Sequence, residues 1–410
     1  MSKSQLLLLS SSLLLLPPFV FILQSFLLFH GRLASNPIFD THNKASQNLL
    51  NAELKTLRQA SRHDRQVSVI GNSGSKFLRK VPSLEYTPRN MTRQERIRWF
   101  QDNLQRFTVL HSDSIAAQFS AKVEAFLKPC KLRFYITWLS QIESFGYRER
   151  LSMESVFKSN PSCCLLIISR TMDSEAGRQI LRPFTSRGFR VMAAAPDIRY
   201  LFKKIPAEGW LRKIESGDID PGEVPFAQNL SNILRLAILY KYGGVYIDAD
   251  MILLRSFSSL ENTIGAQSAD SQTGQWNRLN NAVLAFDKRH PLLLKFINEF
   301  SLTFDGNRWG HNGPYLLTRV VTCLANQTHH DFKIMLPIAF YPVDWNHIPS
   351  YFMSPSDKVN VKWRSAKIIQ LEREAHAIHL WNKQSRGLTV EEGSIMHHIF
   401  NNTCIFCPSV

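Results

Sequence analysis

The sequence predicts an α/β protein with a mainly parallel sheet, because strand-length apolar runs alternate with helical stretches over most of the chain. The 410 residues are 44% hydrophobic and 11% aromatic, so a large core can form and global disorder is excluded. Six cysteines are too few for a disulfide scaffold, and 18 glycines with 19 prolines exclude a collagen-like or proline-rich architecture.

The first element is an apolar segment without charged side chains at residues 6–29. As a helix, this segment would span about 36 Å, which is enough to cross the apolar core of a bilayer. The alternative is a signal peptide cleaved near Ala34-Ser35, which would have a shorter apolar core. We expect residues 1–30 to form a cytoplasmic tip and a transmembrane signal anchor, with the bulk of the chain in the lumen.

Residues 31–120 are predicted to form a flexible basic stem, in which a short amphipathic helix fits at residues 94–107. Between residues 31 and 110 there are 14 Lys and Arg against six Asp and Glu, which is half of the net charge of +16. A strongly basic chain can bind nucleic acid, a membrane surface or phosphorylated substrates. Since half of the excess lies in the stem, the charge does not indicate a nucleic-acid partner, and we expect none.

The remaining residues, 121–410, are predicted to form one folded domain. Apolar runs predict strands at residues 132–138, 163–169, 189–193, 245–247, 282–286 and 333–336. Helical periodicity predicts helices at residues 174–186, 225–242 and 291–304.

Glycosylation patterns support a lumenal location for this domain. Four Asn-x-Ser/Thr triplets begin at Asn90, Asn229, Asn326 and Asn401, although Asn229 lies in a predicted helix. The six cysteines can pair in an oxidising lumen, but their spacing does not give the pairing. The Cys404-x-x-Cys407 pair lacks the partners of a zinc site, so a structural disulfide or two free thiols are expected.

The most informative stretch begins with the helix predicted at residues 225–242. Its apolar residues follow helical spacing, while a polar stripe contains Gln228, Ser231, Asn232 and Arg235. Because most of this helix should be buried, Arg235 needs an anion or a carboxylate as its partner. The Gly243-Gly244 pair ends the helix and allows a tight turn into the next strand.

That strand delivers Asp248 and Asp250 at its carboxyl end, where ligands bind in open α/β sheets. Two carboxylates with this spacing share one face and repel each other unless a cation lies between them. The alternative is a surface turn with two solvated acids, but the preceding helix and turn favour a metal site. Oxygen ligands suit Mn²⁺ or Mg²⁺ better than zinc.

With its surroundings, this stretch resembles the DxD region of the retaining α-1,4-glycosyltransferase family. The resemblance continues in four later blocks, at residues 281–286, 309–319, 340–345 and 377–382. It implies a GT-A-type, Rossmann-like domain that binds a UDP-sugar and transfers a hexose or N-acetylhexosamine to a glycan or glycolipid acceptor. It also implies a single-pass type II protein of the Golgi membrane. The sequence does not choose among galactose, N-acetylglucosamine and glucose as the donor sugar.

The resemblance also implies roles for individual residues. The predicted catalytic residues are Asp248, Asp250 and Arg235. The predicted donor-binding residues are Asn232, Arg235, Tyr246, Asp248 and Asn281. The predicted acceptor-side residues are Trp309, His311, Asn312 and Trp381. The predicted metal ligands are Asp248, Asp250 and His379, although His379 is equally compatible with a packed histidine beside Trp381.

One departure from the family pattern sets up an alternative function. Several related transferases have Asp three residues before the arginine of the helix, whereas this chain has Asn232. Asn can still form hydrogen bonds with sugar hydroxyls, but it has no negative charge. The alternative is therefore a lumenal carbohydrate-binding or scaffold protein that has lost catalysis on the same fold.

Overall fold

The computed structural model describes residues 88, 90–324 and 331–407 of the chain. The predicted anchor at residues 1–30 lies outside the described residues, and so does most of the predicted stem. Among the residues that are described, no helix is both long enough and apolar enough to cross a membrane.

The strands are β1 (Arg133–Thr137), β2 (Cys164–Ile168), β3 (Arg190–Ala194), β4 (Gly244–Ile247), β5 (Met251–Leu253), β6 (Thr263–Ala269), β7 (Trp276–Phe286), β8 (Lys333–Met335) and β9 (Ala377–His379). The α-helices are α1 (Arg93–Asp102), α2 (Phe119–Leu127), α3 (Tyr147–Ser159), α4 (Glu175–Thr185), α5 (Ile198–Phe202), α6 (Pro206–Ser216), α7 (Phe226–Tyr242), α8 (Pro291–Thr303), α9 (Pro314–Leu324), α10 (Pro349–Phe352), α11 (Lys358–Glu374), α12 (Asn382–Ser385) and α13 (Ile395–Thr403). Within the described residues, each predicted strand and helix overlaps an observed one of the same type, which confirms the alternating α/β pattern.

The main sheet has seven strands in the order β3-β2-β1-β4-β7-β6-β8. Its first four strands are parallel to one another, and β8 is parallel to β6. β7 is antiparallel to both of its neighbours, β4 and β6. Residues 270–275 join β6 to β7 as a hairpin. The mainly parallel sheet is confirmed, with an antiparallel β7 that the sequence did not indicate. β5 and β9 form a separate antiparallel pair.

The sheet carries a hydrophobic core on each of its faces. Successive residues of a strand point to opposite faces, and in β2 Leu165 and Ile167 belong to one core while Leu166 and Ile168 belong to the other. α7 packs in the second core, together with α6 and α8. Burial on both faces explains why β2 is an unbroken apolar run rather than an alternating one.

The folded domain begins earlier than the sequence indicated. Residues 92–120 were expected to belong to the stem, but α1 and the turns after it pack into the core. The rings of Phe100 and Phe107 lie 4.8 Å and 5.7 Å from the ring of Phe226 at the start of α7. Arg96 is 8% exposed and forms an ion pair with Asp220 at 2.6 Å. Burial of these side chains corrects the expected domain start from residue 121 to residue 92.

Two disulfide bonds are present, Cys130–Cys164 and Cys404–Cys407. The first ties the segment after α2 to the start of β2. The second confirms the structural disulfide expected for the C-terminal pair. Cys163 is a buried free thiol, and burial raises the pKa of this thiol to about 12. A thiol with so high a pKa stays protonated and unreactive at neutral pH.

The glycosylation triplets differ in their accessibility. The Asn90 and Asn401 side chains are exposed, while Asn326 lies outside the described residues. Asn229 lies within α7, is 2% exposed and accepts a hydrogen bond from Asn312. A glycan cannot be accommodated at Asn229 without unfolding this helix, so the sequence pattern there does not mark a usable site.

We predict that Phe100→Ala destabilises the folded domain by about 3–5 kcal/mol, because it leaves a cavity between α1 and α7. Gln94→Ala, at an exposed position of the same helix, is the matched control. Urea unfolding of both variants checks the prediction. Equal stabilities for the two variants would show that α1 is not part of the cooperative unit.

Candidate active site

The Gly243-Gly244 turn between α7 and β4 brings the polar side of the helix beside the acidic end of the strand. The φ angles of Gly243 and Gly244 are 66° and 117°, in the region that favours glycine. A Cβ atom on Gly244 would also lie 2.7 Å from the carbonyl oxygen of Arg133. Because β4 lies inside the sheet and ends at residue 247, Asp248 and Asp250 follow directly at its carboxyl edge.

Arg235 lies in the middle of α7 with only 2% of its surface exposed. Its guanidinium forms an ion pair with Asp248 at 2.9 Å and donates to the carbonyl oxygen of Asn281 at 2.8 Å. It also donates to the carbonyl and hydroxyl oxygens of Ser231. Burial acts to lower the pKa of Arg235, but the charge of Asp248 outweighs burial and raises it. Asp248 is thus the carboxylate partner that the burial of this arginine predicted.

Tyr246 supports Asp248 from within the sheet. Its hydroxyl donates to Oδ1 of Asp248 at 2.8 Å and lies 2.8 Å from Oγ1 of Thr137. Burial raises the pKa of Tyr246, so the hydroxyl keeps the proton that it donates. Among the described residues, protein donors contact only Oδ1 of Asp248, which leaves Oδ2 available to a ligand. Tyr246 itself is 1% exposed and does not line the cleft.

Asp250 is held from the other side by strand β9. Its Oδ1 lies 3.3 Å from Nε2 of His379, and its Oδ2 accepts the backbone N–H of Asn382 at 3.0 Å. Burial acts to raise the pKa of Asp250, but the charge of His379 and these hydrogen bonds lower it to about 2. For His379, burial acts to lower the pKa, and the attraction of Asp250 raises it above its usual value.

Asp248, Asp250 and His379 each offer a ligand atom, and these atoms lie within 4.8 Å of one another. Pairing of β5 with β9, in which Met251 lies opposite His379, joins residues that are far apart in sequence. The Trp381 amide donates to Nδ1 of His379 at 3.2 Å, so Nε2 is the nitrogen that faces the carboxylates. Two carboxylates and one imidazole fit a divalent cation such as Mn²⁺, since an imidazole ligand suits Mg²⁺ less well.

A second pair of polar side chains lies next to this cluster. Nδ2 of Asn281 donates to Oδ1 of Asn232 at 2.8 Å, and both amides line the same cleft. The chain at Gly313 passes so close that a Cβ atom there would lie 3.0 Å from Oδ1 of Asn232. Gly313, in the block at residues 309–319, is therefore needed for the backbone to pass this close to Asn232 and Asn281. A side chain at Gly313 would push the two amides apart.

The cleft has a volume of about 610 Å³ and an aromatic wall. The wall consists of Trp309, Tyr315, Trp345 and Trp381. Trp309 is 56% exposed, and the ammonium group of Lys383 lies 4.3 Å from the centre of its ring. The guanidinium of Arg278 lies 5.0 Å from the ring of Tyr315. Trp381 has a φ of 52°, which is rare for a side chain of this size and marks a constrained backbone.

Two of the predicted acceptor-side residues, His311 and Asn312, form hydrogen bonds with other residues of the protein and do not face the cleft. Nε2 of His311 lies 2.8 Å from the carbonyl oxygen of Thr303. Nδ2 of Asn312, which is 2% exposed, donates to Oδ1 of Asn229 at 2.9 Å and to the carbonyl oxygen of Asp305. Within the described part of the chain, neither residue lines the cleft. Their contact with an acceptor stays a prediction.

The sequence did not indicate an ion pair inside the cleft, between Glu149 and Arg386. Glu149 is 3% exposed, and it also accepts the backbone N–H of Gly146 at 2.9 Å. The two residues lie 237 positions apart, so no local pattern links them. Lys383 also lines the cleft. Its position directly after the block at residues 377–382 is a sequence signal that could have predicted this.

Comparison with known proteins gives two family matches. The region described as "Glycosyltransferase sugar-binding region containing DXD motif" matches residues 146–270. The region described as "Alpha 1,4-glycosyltransferase conserved region" matches residues 285–410. Together they cover β4, both acidic residues, the aromatic wall and His379.

Individual relatives cover different parts of the chain. Lactosylceramide 4-alpha-galactosyltransferase of Pongo pygmaeus is 33% identical over 48% of this chain and 85% of its own length. Alpha-1,4-N-acetylglucosaminyltransferase of Homo sapiens is 25% identical over 51% of this chain and 58% of its own length. An uncharacterized protein of Arabidopsis thaliana is 30% identical over 71% of this chain, and the match spans 45% of that longer protein.

Among solved structures, the PaToxG glycosyltransferase is 15% identical with a TM-score of 0.36, covering 71% of this chain and 94% of its own. The glycosyltransferase GlyE of Streptococcus pneumoniae is 12% identical with a TM-score of 0.39, covering 68% of this chain and 61% of its own. We draw no inference from similarities this low.

We predict that Tyr246→Phe weakens Mn²⁺ binding by roughly 10- to 100-fold, because Asp248 loses a donor that holds its carboxylate in place. Tyr135→Phe is the matched control. Tyr135 lies opposite Tyr246 in the β1–β4 pairing and donates to the carbonyl oxygen of Gly243, away from Asp248. Calorimetric titration with Mn²⁺ checks both variants, and equal affinities would contradict the role of Tyr246.

We predict that Mn²⁺ affinity decreases as the pH falls through the raised pKa of His379. Below that pKa, His379 holds a proton where the metal must bind, so proton and metal compete. Above it, the imidazole is neutral and the affinity is highest. Titrations at a series of pH values check this, with His379→Ala as the control that binds weakly and loses most of the pH dependence. A wild-type affinity that does not change with pH near neutrality would exclude His379 as a ligand.

Proposed function

Since the chain belongs to the α-1,4-glycosyltransferase family, we propose that it transfers a hexose or N-acetylhexosamine from a UDP-sugar to a hydroxyl of a glycan or glycolipid, with retention and an α-1,4 linkage. The proposed catalytic domain has a GT-A-type, Rossmann-like fold and extends from residue 92 to the C-terminus. The observation that carries the proposal is the Asp248, Asp250 and His379 cluster at the carboxyl edge of the sheet, buttressed by Arg235.

Asp248, Asp250 and His379 are the residues that would hold a divalent metal, with Mn²⁺ favoured and Mg²⁺ as the alternative. When bound, the ion supplies positive charge to the donor diphosphate and stabilises it as a leaving group. Arg235 and Tyr246 both contact Oδ1 of Asp248 and hold its carboxylate in one orientation, so that no reorganisation is needed when the ligand arrives.

The paired amides of Asn232 and Asn281 support a donor-sugar site beside the metal cluster. Both line the cleft, and their mutual hydrogen bond leaves further donor and acceptor capacity for sugar hydroxyls. A neutral Asn232, in place of an acidic residue, keeps the hydrogen-bonding function without adding a third negative charge near Asp248 and Asp250. This arrangement fits an active enzyme as well as it fits a binding protein.

The acceptor side is proposed to be the aromatic wall. An exposed indole such as that of Trp309 can stack on the apolar face of a sugar ring, and Trp381 lines the same cleft. His311 and Asn312 hold the loop that carries Trp309, through their bonds to Thr303 and Asp305. They are therefore proposed to act on the acceptor through Trp309.

Retention is proposed to occur on one face of the donor sugar. A two-step route needs a free carboxylate nucleophile. Among the described residues, the acids that line the cleft are Glu149, Asp248 and Asp250, and each already has an arginine or histidine partner. On the one-face route, the bond from the anomeric carbon to the diphosphate breaks and the acceptor oxygen bonds to that carbon. The acceptor proton passes to the departing phosphate oxygen.

We propose a Golgi location for the protein, as a single-pass type II membrane protein with a lumenal domain. The supports are the uncharged segment at residues 6–29 and two glycosylation triplets whose asparagine side chains, Asn90 and Asn401, are exposed. The proposal assigns residues 1–30 to a signal anchor and residues 31–91 to a stem. Glycosidase treatment tests it, because a mass that does not change would contradict a lumenal domain.

We predict Mn²⁺-dependent turnover of at least one UDP-sugar, lowered on the order of 100-fold or more by Asp248→Asn and by Asp250→Asn. Asp218→Asn, at an exposed position, is the matched control and should retain full activity. The measurement is UDP release across a panel of UDP-sugars, with and without acceptor. If wild type and the cluster variants show the same background, the protein is instead a carbohydrate-binding protein without catalysis.

We predict that Trp309→Ala raises the KM for the acceptor by roughly tenfold while leaving the KM for the UDP-sugar unchanged, because only the acceptor stacks on this ring. Steady-state kinetics with each substrate varied in turn gives both constants. Trp276→Ala is the control, because Trp276 is partly exposed but does not line the cleft. A rise in the KM for the UDP-sugar alone would contradict the prediction, because it would indicate that Trp309 contacts the donor and not the acceptor.

A further inference from the structure

Arg278 is a cation of the candidate active site that has no acidic partner. It lies on β7, is partly buried and lines the cleft. Among the described residues, its side chain forms no ion pair and no hydrogen bond. Its contacts are with two aromatic rings, at 5.0 Å from the guanidinium to the centre of the Tyr315 ring and 5.9 Å to that of Trp345. The N–H groups of this guanidinium are therefore available to a ligand.

The two rings hold the guanidinium in place. Gly310 has a φ of 76°, and a Cβ atom there would lie 2.9 Å from the ring of Tyr315, so only glycine lets this ring lie against the backbone. The ring of Trp345 packs edge-on against that of Trp381, with 5.8 Å between their centres. A guanidinium is attracted to aromatic faces and still presents its N–H groups at its edge. Arg278 is thus positioned to bind a planar anion.

The donor does not use up the positive charge of the cleft. Among the described residues that line it, Lys and Arg outnumber Asp and Glu by four to three: Arg235, Arg278, Lys383 and Arg386 against Glu149, Asp248 and Asp250. The two positive charges of a divalent ion cancel the two negative charges of a UDP-sugar diphosphate. With both bound and His379 neutral as a ligand, one cationic side chain of the cleft still has no counter-charge.

Arg278 lies on the acceptor side of the cleft. The backbone N–H of Asp248 donates to the carbonyl oxygen of Ala282 at 2.8 Å, which marks where β7 passes the metal cluster. Arg278 is four residues away from Ala282 along β7, toward the hairpin with β6. Tyr315 and Trp345, which hold it, belong to the aromatic wall.

We propose that Arg278 binds the carboxylate of an acidic sugar, so that the acceptor is a glycan or glycolipid that carries a uronic or sialic acid. The two oxygens of a carboxylate match the fork of a guanidinium through two parallel hydrogen bonds. A neutral acceptor would cover Arg278 and remove its water without supplying a counter-charge. This inference rests on the proposed function, because it names the substrate class for the proposed acceptor side.

The test measures acceptor binding, so that it does not depend on turnover. The full chain with Mn²⁺ and UDP is titrated, by saturation-transfer NMR, with methyl β-glucuronide, with the methyl ester of this uronide and with methyl β-glucoside. A sialic acid methyl glycoside and its methyl ester form the second arm. We expect at least one acid to bind roughly tenfold more tightly than its uncharged counterparts, and high salt to reduce this preference. The arm that shows the preference identifies the source of the carboxylate.

Arg278→Gln should abolish the preference for the acid, and Arg278→Lys should retain part of it, because lysine keeps the charge but lacks the fork. The matched control is Arg308→Gln, which removes the same charge from an exposed residue that is adjacent to Trp309 and does not line the cleft. This control should keep the full preference.

The proposal fails if both acids bind no more tightly than their esters, or if Arg278→Gln and Arg308→Gln behave alike. It also fails if Arg278→Gln instead weakens binding of UDP and Mn²⁺ by tenfold or more, which would assign this arginine to the diphosphate. Failure of the proposed function has a different signature. In that case an acid binds through Arg278, while no UDP-sugar gives turnover that depends on Asp248 and Asp250.

Discussion

The buried guanidinium of Arg235 is the constraint on which the candidate site depends. A charge with 2% exposure is costly unless it is paired, and Asp248 supplies the pairing charge. This requirement fixes the distance between α7 and the end of β4, because the ion pair forms only when the Gly243-Gly244 turn folds the helix back along the strand. It also fixes the direction of the Asp248 carboxylate, because its Oδ1 is contacted by both the Arg235 guanidinium and the Tyr246 hydroxyl.

Among the described residues, each acid that lines the cleft has an arginine or histidine partner, and this pairing bears on what chemistry remains open. Arg235 pairs with Asp248, His379 lies within ion-pair distance of Asp250, and Arg386 pairs with Glu149. Binding of a divalent ion would take His379 out of its ion pair, and the ion would then supply the compensating charge. In the part of the chain that the structure describes, every acid that lines the cleft has such a partner. This pairing supports the proposed one-face reaction over a covalent one.

The sequence indicated what depends on local pattern and missed what depends on distant contacts. Helical spacing predicted that Arg235 needs a carboxylate, and two acids at the end of a strand predicted the cluster around Asp248. The sequence did not predict the Glu149–Arg386 ion pair, because the two residues lie 237 positions apart and neither belongs to a recognisable motif. The sequence places residues 92–120 in the stem, because their polar composition masks the few aromatic side chains, such as Phe100, that pack into the core. The antiparallel β7 is set by its hairpin with β6, a strand that the sequence did not predict.

The most direct test is anomalous X-ray diffraction from crystals of the protein grown with Mn²⁺ and UDP. One strong anomalous peak, bounded by Asp248, Asp250 and His379 and touching the UDP diphosphate, is the result expected. Arg235 should still pair with Asp248 in that structure. A peak elsewhere, or UDP bound without metal in a different part of the cleft, would contradict the assignment of this cluster as the catalytic metal site.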